Sequence, residues 1–353
     1  MSQLWSDIVH QLDPYVPGEQ PQGNQYIKLN TNENPYPPSP AVARAIQSYP
    51  VESLRCYPDP ESSELRQALA DYFGLEAGQV FIGNGSDEVL AHSFQAFFQG
   101  RGPILFPDIS YSFYPVYCSL YQIDHRTVPL DSGFCLRVSD YYRANGGIIL
   151  PNPNAPTGIA PGLDAIRNLL ENTTSVVVID EAYVDFGAES AVSLIADYPH
   201  LLVIQTFSKS RSLAGLRLGY ALGQAPLIEG LNRVKNSFNS YPIGRLASAV
   251  AIACLKDEAY FQQCRERIVA TRDWLGIALT ELAFKVYPSN GNFLFVQHSS
   301  RLASELYMEL KQTGILVRHF NSPRIDNCLR ISIGSDEECR QLVDTLKNIL
   351  NDD

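Results

Sequence analysis

Two stretches decide the fold: SVVVIDEAY (175–183) and LLVIQTFSKS (201–210). Each opens with an unbroken apolar, largely β-branched run and ends abruptly in polar residues. A strand that is apolar at every position has no solvent face, so it lies buried on both sides. Strands of that kind form mostly parallel sheets covered by helices. The same alternation extends outward in both directions. Gly102 to Phe106, Ile123 to Val128, Gly147 to Leu150 and Leu218 to Leu222 read as further strands, with Leu163 to Glu171 and Ser190 to Asp197 as helical connectors. Upstream, Ser62 to Phe73 has helical spacing, with Ser62 as a candidate N-cap and Gly74 as its stop. Val80 to Ile82 is a short strand that enters Gly83-Asn84-Gly85-Ser86, and Asp87 to Phe98 reads as the helix that follows. The fold class is therefore α/β.

The pattern changes past residue 225. Leu246 to Leu282 reads as one long helical stretch. Phe284 to Val286, Phe293 to Val296, Ile315 to Arg318 and Leu329 to Ile333 read as strands, interleaved with helices at Leu302 to Gln312 and Glu337 to Leu350. This is the outline of a smaller α+β domain. The first 40 residues are rich in proline and asparagine and read as an ordered arm lying on the rest. The division expected is 41–250 for a large domain, and 1–40 together with 251–353 for a small one.

The chain has 353 residues, with 27 Lys+Arg against 38 Asp+Glu, a net charge of −11. That acidic balance excludes a nucleic-acid binder, which needs a basic face. An apolar fraction of 45% excludes a disordered chain. The seven cysteines include no CxxC pair and read as reduced, mostly buried thiols of a cytoplasmic protein. No secretory signal and no apolar run of membrane-spanning length is present, so no membrane partner is expected.

Ligands of open parallel sheets bind at the carboxyl ends of the strands, and four polar groups stand there. Gly83-Asn84-Gly85-Ser86 can cradle an anion at a helix start, although a turn of this kind is also an ordinary strand-to-helix connection. It is neither a P-loop nor GxGxxG. Pro151-Asn152-Pro153-Asn154-Ala155-Pro156-Thr157-Gly158 is a rigid turn that can hold an Asn against a ligand oxygen. Asp180-Glu181-Ala182-Tyr183 puts acid at the end of an apolar strand, which is costly without a cation or metal. The two acids fit Mg²⁺, while Tyr183 favours an organic ligand. Lys209, after Ser208, is a surface lysine or, if desolvated, a nucleophilic amine, with Arg217 nearby. One ligand uses all of these together: pyridoxal 5'-phosphate, with an aldehyde for Lys, a ring nitrogen for an acid, a phenolic oxygen for donors, and a phosphate for N–H groups, hydroxyls and Arg. No metal site is expected.

The motifs NENP (32–35), YPDP (57–60), GNGSDE (83–88), PNAPTG (153–158), DEAY (180–183), SKS with GLRLG (208–219) and CLRIS (328–332) occur in the order found in fold-type I pyridoxal-phosphate aminotransferases. With the arm LDPYVPG (12–18), the chain resembles most the histidinol-phosphate aminotransferase branch. The resemblance implies a large domain with a mostly parallel seven-stranded sheet. It implies Lys209 as the Schiff-base lysine and proton carrier, Asp180 as partner of the ring nitrogen, and Tyr183 and Asn154 as donors to the phenolic oxygen. Tyr111 stacks on the ring. Gly85, Ser86, Asp87, Ser208 and Arg217 hold the phosphate end, with Tyr57 reaching in from a second subunit of a homodimer. Tyr15, Asn32, Asn292, Arg318 and Arg330 line the substrate side. Many relatives have Asn where this chain has Ala155, so the Asn role moves to Asn154.

The implied reaction is transamination between glutamate/2-oxoglutarate and histidinol phosphate/imidazole-acetol phosphate, a step of histidine biosynthesis. An aromatic or other amino-acid aminotransferase, or a phospho-amino-acid decarboxylase, keeps the same fold and cofactor. A cofactor-binding transcription regulator lacks room for a helix-turn-helix here, and a nicotinamide dehydrogenase lacks its GxGxxG.

Overall fold

The computed structural model describes residues 3–20 and 26–351; residues 1–2 and 21–25 of the arm and 352–353 lie outside it. The arm contributes β1 (Ile27–Lys28). Seven strands then form the main sheet: β2 (Val80–Gly83), β3 (Ile104–Pro107), β4 (His125–Val128), β5 (Ile148–Pro151), β6 (Val177–Asp180), β7 (Leu201–Thr206) and β8 (Gly219–Gly223), in the order β2-β8-β7-β6-β5-β3-β4. β8 runs antiparallel to both of its neighbours, and the other six strands run one way.

Apolar burial on both faces is what makes this sheet. Along β6, Val177 and Ile179 join one core with Leu65, Leu69, Ile166 and Val250, while Val178 joins the opposite core with Leu90, Phe94, Tyr114 and Ile228. β7 splits in the same way, with Leu201 and Val203 on one side and Leu202 and Ile204 on the other. Side chains alternate across a strand. Asp180 therefore emerges on the face of Tyr114, and Glu181 on the reverse.

A four-stranded antiparallel sheet, β12-β13-β10-β9, follows from β9 (Phe284–Val286), β10 (Phe293–His298), β12 (Arg318–His319) and β13 (Leu329–Ser332), while β11 (Ile315–Leu316) pairs in parallel with β1. A third core beneath it gathers Cys264, Ile268, Leu275, Leu294, Leu306, Ile331 and Leu342, and takes Leu29 and Tyr36 from the arm. Helix Arg245–Lys256 still packs on the main sheet through Val250, Ala251 and Leu255.

Local readings differ at four places. The stretch 246–282 is two helices, Arg245–Lys256 and Glu258–Glu281, because Asp257 between them accepts from the Tyr260 amide and caps the second. Ser62 is left-handed and caps nothing; Asp59 takes that role, accepting from Ser63 N at 2.7 Å. The helix after β2 starts at Gly85 and changes to a π turn over Phe94–Phe98. Residues 315–319 form two short strands, because the chain changes partner at Val317. All seven cysteines are free; five are buried, and Cys56 and Cys135 are exposed.

Candidate active site

A cavity of about 500 Å³ opens at the carboxyl ends of β2, β3, β5, β6 and β7 and is closed on the other side by the arm and the β12–β13 pair. Its floor is set by close backbone packing. A Cβ on Gly219 would lie 2.3 Å from Ser86 N and 2.5 Å from Gly85 C, and one on Gly85, at φ +81°, would lie 2.5 Å from Arg217 Nη2. Both glycines thus let the helix start, Ser86 and the Arg217 guanidinium share one small space. Arg217 reaches Asp87 Oδ2 at 3.0 Å, and Tyr111 donates to Asp87 Oδ1 at 2.9 Å. Thr206 and Ser208 add hydroxyls, 3.0 Å apart. Free N–H groups at a helix start, hydroxyls and an arginine form an oxyanion cradle.

Asp180 lies deeper. Burial pushes its carboxyl up to about 6, opposed by donation from Tyr114 Oη at 2.8 Å and from Ala182 N, while the charge of Asp87 adds to the rise. Among the described residues no cation meets it. A buried, ionisable carboxylate without a cation fits a ligand that brings a positive N–H. Glu181 does not share this site. On the reverse face it accepts from Ser190 Oγ, Ala191 N, Gln205 Nε2 and Asn152 Nδ2. The two acids therefore do not form one Mg²⁺ site. Burial raises the Glu181 carboxyl to about 7 against those donors.

Lys209 reaches across the cavity to the arm. Its Nζ donates to Thr31 O at 3.2 Å and stands 5.7 Å from the centre of the Tyr183 ring. Asn34 fixes the backbone beneath it, with Nδ2 donating to Lys209 O at 3.1 Å and Ser210 O at 3.2 Å. Opposite, Arg318 and Arg330 stand directly across from each other on β12 and β13. Like charges in that register destabilise a sheet. Among the described residues neither forms a salt bridge, and Arg330 Nε is buried without a partner. Desolvation pulls the Arg330 guanidinium below the usual arginine value, Tyr183 opposes that shift, and Arg318 adds to it. Such a pair can meet an anion with two guanidiniums at once. Phe320, which Arg330 faces at 5.8 Å, and Tyr15, 4.9 Å from Phe113, complete the wall.

Of the residues singled out from the sequence, Ser86, Asp87, Tyr111, Asp180, Tyr183, Ser208, Lys209, Arg217, Tyr15, Arg318 and Arg330 line this cavity. Gly85 acts beneath it, through Arg217. The structure does not bring the others to the wall. Asn154 is buried, donating to Ile109 O at 2.9 Å and Thr157 Oγ1 at 3.0 Å, and Ala155 faces the cavity instead. Asn32 and Asn292 are fully buried behind Tyr183. Tyr57 is 77% exposed and stacks on Tyr241 with ring centres 4.8 Å apart. The sequence did not single out Tyr114, Thr31 or Thr206, nor Glu33, which lines the cavity and accepts from Thr31 Oγ1 at 2.7 Å. Glu33 and Thr206 sat inside motifs already quoted. Tyr114 and the Thr31 carbonyl carried no signal, since only their burial and aim give them a role.

Fold and cavity together define an α/β protein with an oxyanion cradle, a buried carboxylate and a lysine gathered at the strand ends of one sheet. The chain belongs to the class I and II aminotransferases, whose family profile matches residues 24–346. Histidinol-phosphate aminotransferase 1 of Hydrogenovibrio crunogenus is 58% identical over 352 residues, covering 98% of this chain and 99% of that protein. Histidinol-phosphate aminotransferase 1 of Bradyrhizobium diazoefficiens is 56% identical over 351 residues, covering 99% and 100%. The crystal structure of histidinol-phosphate aminotransferase from Sinorhizobium meliloti in complex with pyridoxal-5'-phosphate superimposes with a TM-score of 0.89 over 100% of this chain and 99% of that one, at 24% identity. Among the described residues, no helix is long and apolar enough to cross a membrane.

Proposed function

We propose that the cavity holds pyridoxal 5'-phosphate and that the enzyme moves an amino group between glutamate/2-oxoglutarate and histidinol phosphate/imidazole-acetol phosphate. When bound, the cofactor supplies an electron sink for loss of the substrate α-proton. The chain's own residues do the rest. Asp180 holds the ring-nitrogen proton, and its raised carboxyl relaxes toward the ordinary range beside that positive group. The Gly85–Ser86 helix start, Ser208 and Arg217 hold the phosphate, and Tyr111 covers the ring. Lys209 carries the proton, since its amine stands on the cavity wall, held there by Thr31 O. Tyr183 donates to the phenolic oxygen, and Asn154 stiffens the loop that carries Ala155.

The Arg318–Arg330 pair is the observation that carries the substrate. Two facing guanidiniums without a salt bridge support a ligand with one anionic end at this wall: the carboxylate of glutamate in one half-reaction and the phosphate of histidinol phosphate in the other. Tyr57, exposed at the end of a loop held by Arg245 donating to Tyr57 O at 2.8 Å, supports a homodimer in which that hydroxyl serves the other subunit's phosphate. The parting of the hydrophobic cores between Leu255 and Cys264 supports a large and a small domain, with the boundary after helix Arg245–Lys256 rather than at the expected 250, since Ala251, Cys254 and Leu255 pack in the main-sheet core. Seven unpaired thiols support a cytoplasmic location.

The test is spectral and catalytic. The purified enzyme should absorb in the visible, and Lys209→Ala should abolish that band. Histidinol phosphate should be consumed with 2-oxoglutarate in preference to phenylalanine, tyrosine and threonine phosphate. Equal or better turnover of the free aromatic amino acids would overturn the substrate.

A further inference from the structure

We propose that Asn32 and Ser332 are positioning residues that fix the direction of the Tyr183 hydroxyl, leaving its one proton to point into the cavity. The inference rests on the reading that the cavity holds the cofactor, and it concerns how the phenolic oxygen is met.

The geometry carries it through hydrogen-bond direction. Asn32 is fully buried and left-handed, at φ +57°. Its backbone N–H donates to Ser332 Oγ at 2.8 Å, so that hydroxyl is already an acceptor there. The single proton of Ser332 then goes to Asn32 Oδ1, also at 2.8 Å. This pins the amide. In the reverse orientation the side-chain NH₂ would face Ser332 Oγ, and the buried serine proton would be left without an acceptor, which costs more than the bond it replaces. With the oxygen so fixed, Asn32 Nδ2 faces Tyr183 Oη at 3.1 Å and donates to it. A tyrosine hydroxyl that accepts on one side has one proton left, and the cavity is the side on which Tyr183 is open.

Two further contacts hold the frame. Asn292 Nδ2 donates to Asn32 O at 3.0 Å, and the Tyr183 ring meets Phe293 edge-on at 5.1 Å. Asn32 and Asn292, which the sequence suggested for the substrate wall, act from behind it. The role has added weight in this chain because Ala155 lines the cavity where an amide is absent. Lys209 and Arg330 are the charged groups facing Tyr183, and the variants below leave both in place.

The test uses the holoenzyme and reads the pH midpoint of its visible absorption band. That midpoint reports the proton that the lysine-bound cofactor shares with its phenolic oxygen. An oxygen that loses a donor keeps more negative charge for that proton and holds it to higher pH. Tyr183→Phe should raise the midpoint by roughly one to two pH units, the scale of one hydrogen bond to a charged group. Asn32→Asp is nearly isosteric and can only accept, so it should draw the Tyr183 proton away and raise the midpoint by about the same amount. In the Tyr183→Phe background it should add nothing. Ser332→Ala adds no charge, frees the amide to turn, and should raise the midpoint part of the way. Circular dichroism and retained cofactor content confirm that each variant is folded.

The inference is overturned if Asn32→Asp and Ser332→Ala leave the wild-type midpoint in place while Tyr183→Phe moves it. It is also overturned if the Asn32→Asp shift persists in the Tyr183→Phe background, which would make it a field effect of the new charge. A wild-type protein with no Lys209-dependent band sinks the cofactor reading itself, a result distinct from both.

Discussion

Replacing Asp180 with Asn should stabilise the cofactor-free protein at neutral pH while removing the carboxylate proposed to meet the cofactor's ring nitrogen. The Asp180 carboxyl is raised from 3.8 to about 6, chiefly by burial. An acid whose folded value lies above its unfolded one binds protons more tightly when folded. The folded state is therefore penalised as pH rises, from 3.8 until about 6, and by a constant amount above that. Two units at 1.36 kcal/mol each make the full penalty about 3 kcal/mol. Asn is neutral at every pH and escapes it. Asn keeps one acceptor for Tyr114 Oη but turns its amide nitrogen toward Ala182 N, which costs about 1 kcal/mol. The variant should then be more stable by about 2 kcal/mol at pH 8 and slightly less stable near pH 4. Urea denaturation of both cofactor-free proteins at pH 4.5 and pH 8 measures this directly. Adding pyridoxal phosphate should reverse the order at pH 8, because only the aspartate gains from a positive ring nitrogen. A variant less stable than wild type at pH 8, or a difference that does not change with pH, would refute the reasoning.

Gly219→Ala should cost at least about 3 kcal/mol in thermal or urea unfolding, because its methyl meets the Gly85–Ser86 backbone, which cannot step aside. Gly85→Ala strikes the movable end of Arg217 and adds strain at φ +81°. It should lower cofactor affinity by about tenfold or more in a fluorescence titration, with a smaller loss of stability than Gly219→Ala. Glu181→Ala leaves Asn152, Ala191, Ser190 and Gln205 without their shared acceptor and should destabilise the protein by about 3 kcal/mol; a melting temperature equal to wild type counts against that hub. Arg330→Lys keeps the charge but not the fork, and should raise KM for glutamate by about tenfold or more while kcat changes less.

The fold was legible because the β6 and β7 stretches are apolar at consecutive positions, the pattern of a mostly parallel sheet covered on both faces. The helix break at Asp257 was not legible. No proline or glycine marks it, and the cap depends on where the Asp257 side chain turns. At the site, Asp180 and Lys209 were legible because they stand at or just past the carboxyl ends of β6 and β7, and Arg217 because it enters β8, the antiparallel strand whose start lies at that same end. Tyr114 was not legible. Nothing in the sequence around it sets it apart from the neighbouring aromatics Tyr111 and Phe113, and only the fold brings its hydroxyl to 2.8 Å from Asp180.

The sequence by itself determined which chemistry-bearing residues exist and which strand end each follows, because strand, turn and helix signals are local. Only the tertiary structure decided which of the polar residues face the cavity and which stand behind it. Asn32, Asn154 and Asn292 carry the same side chain, yet all three are buried off the cavity wall, while Ala155 and Thr31 line it. The physical reason is that a side chain's aim is settled by contacts between segments far apart in the chain. Asn32 is held by Ser332, 300 positions away, and no local pattern encodes that meeting.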